Sequence, residues 1–280
     1  MRTILIPTDF SENAGDALAY ALALIGNSNA KLHIINVVDP NLPAAEPLPG
    51  KNLPFEEELQ NARSAMEALY KFSTLPSSGV DRSHIQITTE VVVGTVAASL
   101  KAEAKAVGAD LIIMGTQGTR HSFVQKTLGT ISTSAIRDAP CPVILVPRGY
   151  EYQPIKTVLF CTNLNHGDPY ELWRATELLQ PHVAVVRCLH VLKNAADKND
   201  AQLETFAKYM VEHSPSIQTI FNIEVNKDTE AAIAEYADTY DVELVIMHRT
   251  QQPFWNRLLE PSYTKKMASL LEIPLMVMNS

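Results

Sequence analysis

Cysteine is scarce in this 280-residue chain: there are three, Cys141, Cys161 and Cys188, mostly within apolar runs. A disulfide framework is thereby excluded as the source of stability, and buried thiols are expected. No run reaches the roughly 18 uncharged apolar residues of a membrane-spanning helix. The short apolar start, MRTILIPTDF, ends at Asp9 and does not read as a targeting segment, so a cytoplasmic location is expected. Basic residues number 23 against 31 acidic ones, a net charge of −8, and nowhere cluster. That balance argues against a nucleic-acid or anionic-membrane partner, because both need a concentrated basic face. Glycine is scarce and unevenly placed, with ten of eleven before residue 150.

What the chain does contain is itself twice. Residues 2–39 align without a gap on residues 156–193, with eight identities that include Thr3/Thr157, Leu5/Leu159, Thr8/Thr162 and Val37/Val191. Further on, DLIIMG (110–115) matches ELVIMH (243–248), and CPVILV (141–146) matches IPLMVM (273–278). Duplication is the economical reading, and a chain of this length suits two domains, each able to bury its own core. We place them at 1–148 and 154–280, joined by the short, turn-rich PRGYEYQP.

Within the first copy, TILIPT, KLHIINVV, IQITTEVVV, DLIIMG and PVILVP are short β-branched runs separated by stretches of helical spacing. This βαβα order predicts an α/β fold with a buried, mostly parallel five-stranded open sheet and helices on both faces. Ser11 reads as the N-cap of a first helix ending near Gly26. Five prolines between residues 40 and 54 mark a loop before a helix starting near Phe55. A third helix is expected after Gly94 through ASLKAEAKAV, and a short fourth near Thr130. The second copy repeats the scheme, with strands near 156–162, 183–192, 216–224, 242–247 and 274–278.

In such sheets ligands bind beyond the carboxyl ends of the strands, where the strand order reverses. There the first copy has the turn Pro7-Thr8-Asp9, then Gly115-Thr116-Gln117-Gly118, and after ten residues Gly129-Thr130-Ile131-Ser132. Glycines let backbone N–H groups approach an anion, and a Gly-Thr pair opening a helix adds unpaired donors and the positive end of the helix dipole. A plain turn is the competing reading. No Ser-His-Asp, paired-carboxylate or Walker pattern is present. Cys161, Cys188, His182 and His190 fit no compact ligand spacing, so no metal site is expected. Phe254 and Trp255 read as filler of a vacated pocket, as packing between the domains, or as an aromatic ligand platform. Thr130, Ser132 and Ser134 read as helix capping or as modification sites.

ILIPTDFSENA, LHIINVVD, IIMGTQG, LGTIST and PCPVILVP together resemble the universal stress protein family in its tandem, two-domain form. The likeness extends over the whole chain and is strongest in the first copy. It implies an adenine nucleotide alpha hydrolase-like fold, with the two copies packed as an internal pseudo-dimer through their last strands, and further homo-oligomers conceivable. It also implies ATP, or AMP or ADP, as ligand, with Mg2+ as a companion ion, and protein partners of unknown identity. By that resemblance Pro7, Thr8 and Asp9 would border the adenosine, and the backbone of Val37 would meet the adenine edge. Met114 and Gly115 would pass under the ribose, and Gly118, Gly129, Thr130, Ile131 and Ser132 would surround the phosphates. The spacer between Gly118 and Gly129 is one residue longer than the family's nine and carries Arg120, His121 and Lys126. In the second copy Asn163, His248 and Glu260-Pro261 stand in place of Asp9, Gly115 and Gly129-Thr130. An acid where phosphate would sit repels it, so this copy is expected to bind no nucleotide. The expected function is a stress-response module that senses or protects and is not an enzyme. A slow ATPase and an interaction module without a nucleotide are the alternatives.

Overall fold

The computed structural model describes residues 1–40, 55–74, 82–116, 137–180, 182, 185–195, 200–248 and 272–279. They form two compact units, Met1–Tyr152 and Gln153–Ser280.

The first unit runs β1 (Arg2–Pro7), α1 (Glu12–Ile25), β2 (Ala30–Val38), α2 (Phe55–Thr74), β3 (Ile85–Val93), α3 (Val96–Ala106), β4 (Leu111–Gly115) and β5 (Val143–Val146). Its strands lie in the order β3-β2-β1-β4-β5, and the pairs β1–β2, β2–β3, β1–β4 and β4–β5 are all parallel. Successive residues of a strand face opposite sides, yet Ile4, Leu5 and Ile6, and likewise Leu111 to Met114, are all buried. Both faces of the central strands are therefore covered, which is why these runs are continuously apolar rather than alternating. The outer strand β3 instead carries exposed Gln86, Thr88 and Glu90 between less exposed neighbours.

Local chemistry sets the ends of the elements. Ser11 Oγ accepts from the Ala14 N–H at 3.2 Å, so it caps α1 as expected, and Gly26 closes the helix at a φ of 54° that a side chain would resist. α2 begins at Phe55, and α3 begins at Val96, slightly ahead of the expected run because Thr95 takes the N-cap position. The helix expected near Thr130 lies outside the described residues. After β5 the chain folds back on α1: Gly149 N–H donates to Asp16 Oδ2 at 2.7 Å, Arg148 pairs with Glu12, and Tyr150 and Tyr152 pack on Tyr20 with ring centroids 6.1 and 5.3 Å away.

The second unit repeats the plan with β6 (Thr157–Cys161), α4 (Asp168–Leu179), β7 (Val185–Leu192), α5 (Asp200–His213), β8 (Gln218–Val225), α6 (Thr229–Thr239), β9 (Leu244–His248) and β10 (Leu275–Met278). Its order, β8-β7-β6-β9-β10, is the same and its pairings are again parallel. The duplication extends to single bonds. Asp110 Oδ2 accepts from the Thr3 N–H at 2.8 Å, and Glu243 Oε2 accepts from the Thr157 N–H at 2.7 Å. In each unit an acid ahead of the fourth strand thus fixes the start of the first.

Cys161 sits opposite Leu189, and Phe160 opposite Cys188, so the two thiols point to opposite faces of the sheet. None of the three cysteines forms a disulfide. Cys161 is partly exposed as a residue, but its sulfur is enclosed, and burial pushes both its thiol and that of Cys188 well above the ordinary range. Both stay protonated in the folded chain where an unfolded thiol ionises, at about pH 8.5. The folded state then binds more protons, so this contribution makes stability fall as pH rises past that point. We predict that an aromatic disulfide reagent at pH 8 modifies at most Cys141 in the native chain, and all three thiols in denaturant.

Candidate functional site

The strand order reverses between β1 and β4, and there the chain makes a tightly bonded polar turn. Thr8 N–H donates to the Ile35 carbonyl at 2.8 Å, and the Thr8 carbonyl accepts from Asn36 Nδ2 at 2.8 Å, which ties the turn to β2. Thr8 Oγ1 accepts from the Phe10 N–H at 3.0 Å and Asp9 Oδ1 from the Ser11 N–H at 3.1 Å. Phe10 is held at a φ of 62°, a left-handed conformation that these bonds stabilise. The turn leaves Asp9 exposed at the mouth of the strand ends, beside the N-terminus of α1.

Of the residues expected from sequence, Pro7, Thr8, Asp9, Val37, Met114 and Gly115 all lie at carboxyl ends of β1, β2 and β4 or in the turn that follows β1. Pro7, Thr8, Val37 and Gly115 are half-buried, whereas Met114 is buried and offers a ligand only its backbone. Gly118, Gly129, Thr130, Ile131 and Ser132 lie outside the described residues, as do Arg120, His121, Lys126, Phe254, Trp255 and Glu260-Pro261.

Gly115 also has a packing reason to be glycine. A Cβ there would stand 2.6 Å from Asn13 Cγ and 2.9 Å from the Asn13 carbonyl oxygen, so the first turn of α1 occupies that space. Asn13 is buried and its Nδ2 donates to the Val146 carbonyl at 3.2 Å, bridging α1 to the end of β5. Asn36 is a second residue that sequence reading missed: its Oδ1 is buried with no hydrogen-bond partner among the described residues, next to the Thr8 turn. Neither belongs to a spacing motif, and only the register of β1 with β2 and the packing of α1 bring them here.

The second unit keeps the turn and changes its surroundings. Thr162 N–H donates to Leu189, Thr162 Oγ1 accepts from Leu164 at 2.8 Å, and Leu164 takes a φ of 57°. His190 replaces Asn36, with Nδ1 donating to the Thr162 carbonyl at 2.8 Å. At the fourth strand the side chain and the glycine have changed places: Gly167 stands where Asn13 does, and His248 where Gly115 does. A Cβ on Gly167 would be 3.3 Å from His248 Cε1. His248 Nδ1 donates to Asp168 Oδ1 at 2.8 Å, while Asp168 Oδ2 accepts from Thr162 Oγ1 at 2.6 Å and from the Asn165 N–H at 3.1 Å. Asp168 is 1% exposed. The threonine donates to the carboxylate rather than to the imidazole, so this is no nucleophile and base pair. It is a buried, bonded plug.

The family model described as the universal stress protein family matches residues 1–147. The chain belongs to that family. A universal stress protein from Thermus aquaticus is 31% identical over 146 residues, which is 52% of this chain and 98% of that protein. A crystal structure of a universal stress protein from Archaeoglobus fulgidus matches 99% of this chain and 96% of its own, with a TM-score of 0.70 at 16% identity, a likeness of fold. A crystal structure of a universal stress protein in complex with cAMP matches 53% of this chain and 98% of its own, at 25% identity and a TM-score of 0.33. Among the described residues of this universal stress protein, no helix is long and apolar enough to cross a membrane.

The exchange of side chain and glycine makes a prediction. Gly115→Ala should destabilise the chain by about 1–3 kcal/mol through overpacking, and Asn13→Gly in the same chain should remove most of that penalty. Urea denaturation of the two single variants and the double variant measures the coupling; additive effects would show that Asn13 is not what Gly115 accommodates.

Proposed function

We propose that the first unit binds one adenine nucleotide, ATP or AMP or ADP, and that the protein acts through this binding as a sensor or protective module in the stress response. The observation that supports it best is the polar turn at the strand-order reversal, where an exposed Asp9 lies at the same end of the sheet as half-buried Val37 and Gly115. Asp9 is an acceptor suited to ribose hydroxyls, and the buried Asn36 Oδ1 supplies an unused acceptor within the same group of strand ends. The phosphates, with Mg2+ if they carry it, fall to the loop of Gly118, Gly129, Thr130, Ile131 and Ser132, whose glycines and helix start suit an anion. The binding is regulatory rather than catalytic in this reading, with protein partners as its readout. Enclosed cysteines without a disulfide are consistent with a reducing compartment such as the cytoplasm.

The second unit has no equivalent capacity in this reading, because His248, Asp168 and Thr162 bond one another across its strand ends, where the first unit has Gly115, Ala14 and Thr8. Equilibrium dialysis with ATP and with AMP should therefore give one nucleotide per chain, and a stoichiometry of two would overturn the assignment. Gly129→Glu should abolish binding while leaving the circular dichroism spectrum unchanged, since it sets a carboxylate against phosphate. Binding by that variant as tight as by the parent chain would show that the phosphate loop lies elsewhere. His248→Gly should leave the stoichiometry at one.

A further inference from the structure

His33, on β2, has an unusual set of neighbours. It is 8% exposed, and its Nδ1 lies 2.8 Å from Thr88 Oγ1 on β3. Its Nε2 is buried with no hydrogen-bond partner among the described residues. Two carboxylate oxygens flank that nitrogen, Glu90 Oε2 from β3 and Glu103 Oε2 from α3, each 3.9 Å away. That distance is too long for a hydrogen bond. Neither carboxylate has another ion-pair partner among the described residues. The two acids and the histidine are brought together by register: His33 sits opposite Thr88, and Ile35 opposite Glu90, so Thr88 and Glu90 share the face of His33.

The same place in the second unit holds a different solution. Arg187 lies between Leu159 and Ile220 as His33 lies between Leu5 and Thr88. Asn222 then takes the place of Glu90, and Tyr236, the eighth residue of α6, that of Glu103, the eighth of α3. The guanidinium stacks 3.6 Å over the Tyr240 ring and reaches Tyr236 Oη at 3.4 Å, and Tyr236 donates to Asn222 Oδ1 at 2.7 Å. One carboxylate, that of Glu224, is near enough to be felt by Tyr236. A permanent cation built into the chain thus meets neutral partners there. In the first unit two carboxylates meet a histidine, and even a protonated imidazole would leave one negative charge unmatched. A divalent ion beside a neutral imidazole would match both.

We propose that His33, Glu90 and Glu103 bind one divalent transition-metal ion of the zinc or cobalt class. The donor set, one imidazole nitrogen and two carboxylate oxygens, suits such ions. The three ligand atoms already lie within 4.8 Å of one another. Bonds of about 2.1 Å in tetrahedral geometry would place them about 3.4 Å apart, a closure of roughly half an ångström for each nitrogen–oxygen pair. Glu90, whose side chain is 54% exposed, is free to swing inward and leaves an entry path from solvent. Thr88 Oγ1, 2.8 Å from Nδ1, can accept from an Nδ1–H, and in that tautomer the Nε2 lone pair is turned toward the acids. The site lies on the β2, β3 and α3 side of the first unit and uses none of the residues assigned to the nucleotide.

The test is a Co2+ titration of the full-length chain, stripped with a chelator and free of nucleotide, followed by visible absorption and by the imidazole NMR signals, with Zn2+ as competitor. One equivalent of Co2+ should develop a d–d spectrum, shift the His33 resonances and be displaced by Zn2+. Glu90→Gln, at an exposed position that the fold does not need, and Glu103→Gln should each weaken binding at least ~10-fold, with unchanged circular dichroism. His33→Gln should abolish the spectrum, although the two glutamate variants suffice if it does not fold. Absence of Co2+ and Zn2+ binding by the folded chain would overturn the proposal. So would a Co2+ spectrum that both glutamate variants leave unchanged, or His33 resonances that respond to pH but not to metal.

Discussion

The first helix of each unit approaches the end of the fourth strand so closely that one of the two residues in contact carries no side chain. In the first unit the helix supplies Asn13 and the strand supplies Gly115; in the second the helix N-cap supplies Gly167 and the strand supplies His248. The contact anchors the helix across the point where strand order reverses, so the polar turn after the first strand, the helix N-terminus and the strand ends are all positioned by it. Because close-packed interiors have little room to spare, the side chain can be placed on one side or the other but not on both.

That choice decides what the strand ends can do. With the side chain on the helix, Asn13 packs directly against Gly115 while its Nδ2 bonds the Val146 carbonyl, and the mouth of β1 and β4 keeps an exposed Asp9. With the side chain on the strand, the imidazole of His248 lies over the turn and needs a partner. Asp168 provides it and is itself satisfied by Thr162 and Asn165. A buried carboxylate is tolerable only with such partners, so the second unit is committed to a filled site. The turn underneath is the same in both units down to the left-handed residue, Phe10 or Leu164. The duplicated framework has been kept while its two mouths have diverged.

Sequence made a good deal of this legible. The repeat, the βαβα order, the Ser11 cap and the Gly26 stop follow from apolar period and turn chemistry, which are local. The strand ends that carry Pro7, Thr8, Asp9, Val37, Met114 and Gly115 follow from the rule that parallel sheets open at their carboxyl ends. The two readings of Gly115, as room for a ligand or as room for a neighbouring side chain, cannot be separated along the chain, because Asn13 is a neighbour only in space. Asn36 was missed for the same reason.

The sequence by itself determined that this chain is a twice-written α/β fold of the universal stress protein family, because hydrophobic period and strand-end motifs are written in consecutive residues. Tertiary structure alone decided that Asn13 fills the space at Gly115 and that His248 and Asp168 plug the second unit. It also decided that His33 meets Glu90 and Glu103 where Arg187 meets Tyr236 and Tyr240. Those groupings depend on register between parallel strands and on where a crossover helix comes to rest. Residues that share a face there are separated by whole elements of the chain, so no local spacing records them.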